Sequence, residues 1–228
     1  MKSKVVVEDT FVHSEETNLT VLKTSLFFTG DGFTAYDCKG HIVFRVDTYG
    51  PDSRDLGELV LMDATGRCLL TVRRKRPSLH NRWEGYLGER EEGKKPIFSV
   101  RRSSIIGRSN VTVEVYSNPT EEYQIEGSFA QRNCTFFNAD KVSVAEIRRK
   151  VDACAHVVLG KDVFSLSIKP GFDSAFAMGL VLVLDQIQVD DISDNRVDAD
   201  PTISDDSNFS DNRVDSDPII SDDPKFSS

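Results

Sequence analysis

The stretch from Gly171 to Ile187, GFDSAFAMGLVLVLDQI, restricts the folds open to this 228-residue chain more than any other. From Ala175 to Leu184 it carries no charge. At about 1.5 Å per helical residue those positions reach only ~15 Å, half the ~30 Å hydrocarbon core of a bilayer, so the segment is too short to span one. Projected on a helix, Phe176, Met178, Leu180, Val181, Leu182, Val183 and Leu184 point in every direction. A helix that is apolar all round is one enclosed all round. Pro170 and Gly171 break whatever precedes it, and Asp173 or Ser174 is placed to cap its first amides. The rest of the chain must therefore build a container for this helix.

The material for a container lies between Leu19 and Ile168. Short alternating or β-branched runs are parted there by turn residues: LTVLKTSLFF stops at Gly30-Asp31-Gly32, FTAYDC at Lys39-Gly40, HIVFRVDTY at Gly50-Pro51, and GELVLM at Asp63-Ala64-Thr65-Gly66 before RCLLTVRRK. These are hairpin signals at strand spacing. RWEGYLGE, PIFSVRR, NVTVEVY, EEYQIEGS, NCTFF, KVSVAEIRRKV and KDVFSLSI follow, which makes about twelve strand candidates. KVSVAEIRRKV reads as strand, with helix as its alternative. A closed barrel of about eight strands is filled by its own side chains, whereas one of eleven or so holds a central helix. The expected fold is all-β with one buried helix: an antiparallel closed barrel of about twelve strands around a C-terminal apolar helix.

Charge divides the chain further. Between Asp190 and Ser228 twelve aspartates face only Arg196, Arg213 and Lys225, so this tail carries the whole net charge of −9 and the preceding 189 residues are neutral. SDNRVDADPTISDD at Ser193 to Asp206 returns as SDNRVDSDPIISDD at Ser210 to Asp223, with two changes. Two copies are too few for a solenoid, and this composition buries too little to offset its ordering entropy. The expected organisation is an N-terminal extension at 1–17, a barrel domain at 18–189 and a disordered acidic tail at 190–228, with acid-directed phosphorylation conceivable at Thr202, Ser204 or Ser221. The start MKSKVVVEDTF lacks the apolar run of a signal peptide, which points to the cytosol. Cys38, Cys68, Cys134 and Cys154 are widely spaced and are read as reduced structural thiols.

The segments LTVLKTSLFFTGDGFTAYDCKGHIVFRVDTY, LMDATGRCLLTVRRKRPSLHNRWEGYLG, YQIEGSFAQRNC, VAEIRRK and KDVFSLSIKPGFDSAFAMGLVLVLDQI together resemble the plant LURP-one-related family. That family belongs to the tubby C-terminal-like superfamily, with the phospholipid scramblases. The resemblance runs from about Leu19 to Ile187 and implies a twelve-stranded barrel around a buried C-terminal helix, the acidic repeats lying outside it. Tubby proteins bind phosphoinositides at the plasma membrane and act as tethered transcriptional regulators, and the founding LURP-one protein is linked to defence against an oomycete. No tubby phosphate-binding residue maps onto a matching position here. The stretch KDVFSLSIKPGFD keeps Asp162, Phe164, Pro170 and Asp173 of the scramblase pattern but lacks its clustered acids, which speaks against calcium-driven scrambling.

The basic clusters are the remaining candidates for a site. Arg73, Arg74, Lys75 and Arg76, then Lys94 and Lys95, then Arg101 and Arg102 with Arg108, lie on neighbouring hairpins and are expected to converge on one rim, where they would meet lipid phosphates. Arg148, Arg149 and Lys150 form a further cluster, and Trp83 is read as a barrel-packing residue. His13, His41, His80 and His156 show no ligand spacing, and no nucleophile elbow, Walker loop or zincin motif occurs. The expectation is a non-enzymatic module without cofactor or metal that binds anionic phospholipid, phosphoinositide above all, in plant regulation or defence. The alternative is a protein-interaction adaptor that binds no lipid. A monomer is expected, cytoplasmic and either peripheral at the plasma membrane or nuclear, with unidentified protein partners and no direct nucleic-acid contact.

Overall fold

The computed structural model describes residues 5–23, 32–47, 58–75, 82–89, 91–105, 108–116, 121–151 and 157–197. Arg76, Cys154, the hairpin tip after Lys75 and the residues from Asp198 onward lie outside that set. Among the described residues twelve strands are present: β1 (Thr17–Leu22), β2 (Phe33–Tyr36), β3 (Ile42–Asp47), β4 (Glu58–Asp63), β5 (Cys68–Arg74), β6 (Trp83–Leu87), β7 (Phe98–Ile105), β8 (Arg108–Val115), β9 (Glu122–Ser128), β10 (Asn133–Phe137), β11 (Ser143–Arg149) and β12 (Val163–Ile168). Short 3-10 turns occupy Asp9–Phe11 and Phe129–Gln131, and α1 spans Ser174–Val197.

Each strand pairs antiparallel with its neighbour in sequence, and β1 pairs with β12 from Thr17↔Ile168 to Leu22↔Val163, which closes the barrel. β11 is a strand paired with β10 and β12, so the helical alternative for that stretch does not hold. Alternation decides what faces in. Leu61 of β4 sits opposite Leu70 of β5, and Val72 of β5 opposite Gly85 of β6. Leu61, Leu70 and Val72 are sealed from solvent together with Phe44, Phe98, Val113 and Leu166. Trp83 faces inward at 1% exposure, as a packing residue.

α1 fills the space they enclose. Ala175, Phe176, Ala177, Met178 and Leu180 through Val183 are all at 0% exposure. Phe176 meets Phe98 and Tyr123 edge-on at 5.1 and 5.7 Å between ring centres. At Gly179 helix and wall approach closely, because a Cβ there would overlap the side chain of Leu70.

One end of the barrel is capped. Asp173 is fully buried; its Oδ1 accepts the N–H groups of Ala175 and Phe176 at 2.9 and 3.0 Å, capping α1. Its Oδ2 accepts those of Val6, Val7 and Glu8 at 3.2, 2.7 and 3.1 Å. The N-terminal extension is thereby drawn over this end, with Val7 buried and Gly171 donating to the His13 carbonyl at 2.8 Å.

At the other end α1 runs ten residues past Ile187, beyond the expected domain limit at 189, so residues 190–197 are helix and not unstructured tail. Nucleation is the costly step of helix formation, and the barrel has already met it. Between Ile187 and Pro201 no Gly or Pro interrupts propagation. Among the described residues no helix is long and apolar enough to cross a membrane.

Candidate functional site

α1 enters at the capped end and leaves at the opposite one, where Leu184, Ile187 and Gln188 border a pocket of about 100 Å³ with Arg102, Ile125 and Phe129. At this exit end Lys23 pairs with the buried Asp185 at 2.8 Å. Because the barrel is a simple meander, alternate connections fall at opposite ends. The turns at the capped end carry Asp37, Asp63, Glu89, Glu91, Glu92 and Glu121. Arginines and lysines crowd the strand ends at the exit.

This alternation corrects the expected convergence. β7 pairs Val100 with Trp83, so Arg101 and Arg102 lie beyond the start of β6, at the same end as Arg74 and Lys75. Lys94 and Lys95 belong to the β6–β7 connection at the capped end, where Lys94 donates to the Glu89 carbonyl at 2.9 Å. Neighbouring hairpins put their turns at opposite ends, so closeness in sequence became separation by the height of the barrel.

Several of the cations that do gather at the exit are engaged by the protein itself. Lys75 pairs with Glu84 at 3.0 Å. Arg73 donates to Tyr86 Oη through Nε and Nη2 at 3.2 and 3.1 Å and lies over its ring. Tyr86 in turn donates to Glu84 at 2.8 Å. Burial pushes the Glu84 carboxyl up, but the bonds from Lys75 and Tyr86 outweigh it and hold the group below its usual range. Arg101 and Arg82 share Glu114 at 3.1 and 2.9 Å. On the wall from β5 to β8 the positive charge is therefore largely compensated.

The β10–β11 side differs. Gln131, Arg132, Asn133, Arg148 and Arg149 line an open cleft of about 450 Å³. Arg132 is its buried floor, at 4% exposure. It closes the 3-10 turn with φ 52° and ψ 48°, the left-handed region that costs a side-chain-bearing residue about 1 kcal/mol or more. Its guanidinium lies 4.1 Å from the Phe129 ring centre and 4.6 Å from that of Phe164. Backbone carbonyls orient it: Nε donates to Lys161 at 2.8 Å and Nη1 to Phe129 at 3.4 Å. Burial lowers its pKa, and a guanidinium stays charged all the same.

Above this floor, Arg148 Nη1 donates to Asn133 Oδ1 at 2.6 Å while Nη2 pairs with Glu146 at 3.2 Å. Arg149 Nε donates to the Gln131 carbonyl at 3.2 Å, and Lys150 reaches Thr20 Oγ1 at 3.1 Å. Glu146 offsets part of the charge on Arg148 and a neutral carbonyl holds Arg149, while the lining of the cleft itself carries three arginines and no acidic residue. That is an arrangement for binding an anion. Nothing in AQRNC marks Arg132 out in the sequence, because it is a lone base whose role comes from the turn it closes.

Beside the cleft, Val151 and Val158 form an isolated bridge, and Val151, Val157 and Val158 stand 50%, 57% and 49% exposed. Cys38, Cys68 and Cys134 are free thiols, and burial pushes Cys134 up to about 11. Among the described residues no group of three or more His, Cys, Asp or Glu side chains is placed to hold a metal ion.

Comparison with known proteins agrees with the architecture. The X-ray structure of a protein from Arabidopsis thaliana superposes with a TM-score of 0.60 over 81% of this chain and 98% of that one, at 21% identity, which establishes the shared fold. Among curated sequences, Protein LURP-one-related 12 of Arabidopsis thaliana is 64% identical over 86% of this chain and 91% of its own length. Protein LURP-one-related 5 of the same plant is 70% identical over 84% and 93%. The family model described as LURP-one-related matches residues 17–185, from the first strand to the middle of the central helix. With that span and those identities, the chain belongs to the LURP-one-related family.

Proposed function

We propose that this protein is a non-catalytic barrel that docks on an anionic phospholipid surface through its exit end. The observation that carries this reading is the juxtaposition of the Arg132–Arg148–Arg149 cleft with the exposed Val151–Val158 bridge. Isolated apolar side chains on a surface are ordinary, but three on one hairpin next to a cleft lined by three arginines suit the boundary between headgroups and acyl chains. Arginine binds phosphate oxygens in paired hydrogen bonds, and each basic residue near such a surface contributes about 1 kcal/mol. A phosphoinositide, with its additional phosphates, fits this chemistry best. Arg74, Lys75 and Arg102 lie farther round the same rim on the compensated wall and contribute less, whereas Lys94 and Lys95 face away from it.

Sedimentation of the full chain with phosphatidylcholine vesicles, with and without phosphoinositide, tests this. The wild type should bind only the anionic vesicles, and more weakly as salt rises. Arg148→Ala with Arg149→Ala should weaken binding by about thirtyfold and flatten the salt dependence, while Lys94→Ala with Lys95→Ala should leave it unchanged. Absence of binding by the wild type, or equal losses in the two double variants, would refute the reading.

A further inference from the structure

The exit end has a second candidate occupant within the same chain. α1 leaves the barrel there, passing Phe129 and Ala130 at Gln188 and ending at Val197. Residues 198–228 therefore start from the basic end and not from the acidic, capped one. They carry nine aspartates against Arg213 and Lys225, so they are strongly negative, while the domain before residue 190 is neutral overall. The distances permit return. From Gln188 to Val197 the helix carries the chain ~14 Å outward. The 31 residues that follow span at most ~100 Å, with a root-mean-square reach of ~30 Å if flexible. A tethered segment of that reach meets a nearby surface at an effective concentration on the order of millimolar, enough to populate an otherwise weak contact.

We propose that the acidic segment 198–228 docks back onto the exit end of its own barrel, at the cleft formed by Arg132, Arg148 and Arg149. Aspartate carboxylates are bidentate partners for exposed guanidinium groups, and the cleft offers Arg148 and Arg149 above a buried cationic floor. Repetition of the acidic motif raises the chance that one copy is in place at any moment. An anion from outside must then displace the tail, which makes the segment an internal competitor. The contact itself needs no lipid, so it stands or falls independently of the membrane reading.

Carbodiimide coupling, which joins a carboxylate to an adjacent lysine amine without a spacer, reads this out on the unmodified full chain. Lys161, whose carbonyl holds the Arg132 guanidinium, adjoins the cleft and Lys150 lies at the same end, reaching toward β1, whereas Lys94, Lys95 and Lys169 lie at the capped end and serve as internal controls. In the monomer fraction at about 0.05 M salt, tail aspartates should couple to Lys150 and Lys161 at least about fivefold more than to the control lysines. Near 0.5 M, where the screening length falls from ~14 Å to ~4 Å, the excess should vanish. Arg148→Glu with Arg149→Glu, both at exposed positions, should abolish it at low salt. Should that variant fail to fold, the salt series on the wild type still decides. Even coupling over both ends, or an excess that ignores salt, would overturn the proposal.

Discussion

Two aspartates illustrate how a single carboxylate organises the backbone around it. Asp173 serves five backbone amides from two segments of chain, and no neutral side chain can replace that acceptor set. Asp173→Ala should destabilise the fold by about 2–4 kcal/mol and release the N-terminal segment to proteolysis, as equilibrium urea unfolding and limited digestion would show. Asp63 does comparable work in the β4–β5 turn, accepting from the Thr65 amide and hydroxyl and from the Arg67 amide and guanidinium. Burial alone would raise its pKa; those four bonds prevail and bring it to about 2. A depressed carboxylate stabilises above its unfolded value and loses that contribution as pH falls through the folded one. Melting temperature should thus fall between about pH 4 and pH 2, and Asp63→Asn should remove part of that slope. An unchanged slope would show that the turn does not contribute.

At the scale of elements, α1 and the barrel wall specify each other. Leu182, at 0% exposure, is enclosed by the sheet it stabilises. Leu182→Ala should cost about 3–4 kcal/mol through the cavity it leaves. Leu182→Asp, which buries an unpaired charge, should prevent soluble expression or abolish cooperative melting. A soluble Leu182→Asp variant with a near-normal melting midpoint would mean that the helix can leave the barrel. Gly179→Ala is subtler: the added methyl must displace Leu70 of β5, so a loss of about 1–3 kcal/mol is expected from denaturant titration.

At the scale of the whole molecule, the meander sorts charge by end. A neutral barrel becomes a polarised one, acidic turns at the cap and arginines at the exit, and residues 198–228 follow the helix that leaves at the basic end. Because the docking proposed for residues 198–228 is electrostatic, it would add little to stability once salt screens it. Truncation after Val197 should leave the melting midpoint within about 2 °C at about 0.5 M salt. A larger fall would show that residues 198–228 pack on the barrel through apolar contacts.

The strands and the helix were legible in the sequence because each rests on periodicity within a short window. Alternation or β-branching marked about twelve strand segments, with helix left as the alternative for KVSVAEIRRKV, and the chargeless run from Ala175 to Leu184 required a container. The position of the apolar helix as the barrel's filling followed from strand count and geometry. Two things depended on tertiary structure alone. One was which cations meet: Lys94 and Arg101 are seven residues apart yet lie at opposite ends, because an antiparallel meander reverses direction at each turn. The other was the cleft, whose floor is a solitary arginine held in place by a left-handed turn, two aromatic rings and the carbonyl of Lys161. Periodicity reports which face of a strand is buried, but the meeting of strand ends is decided by register and closure, which are properties of the whole sheet.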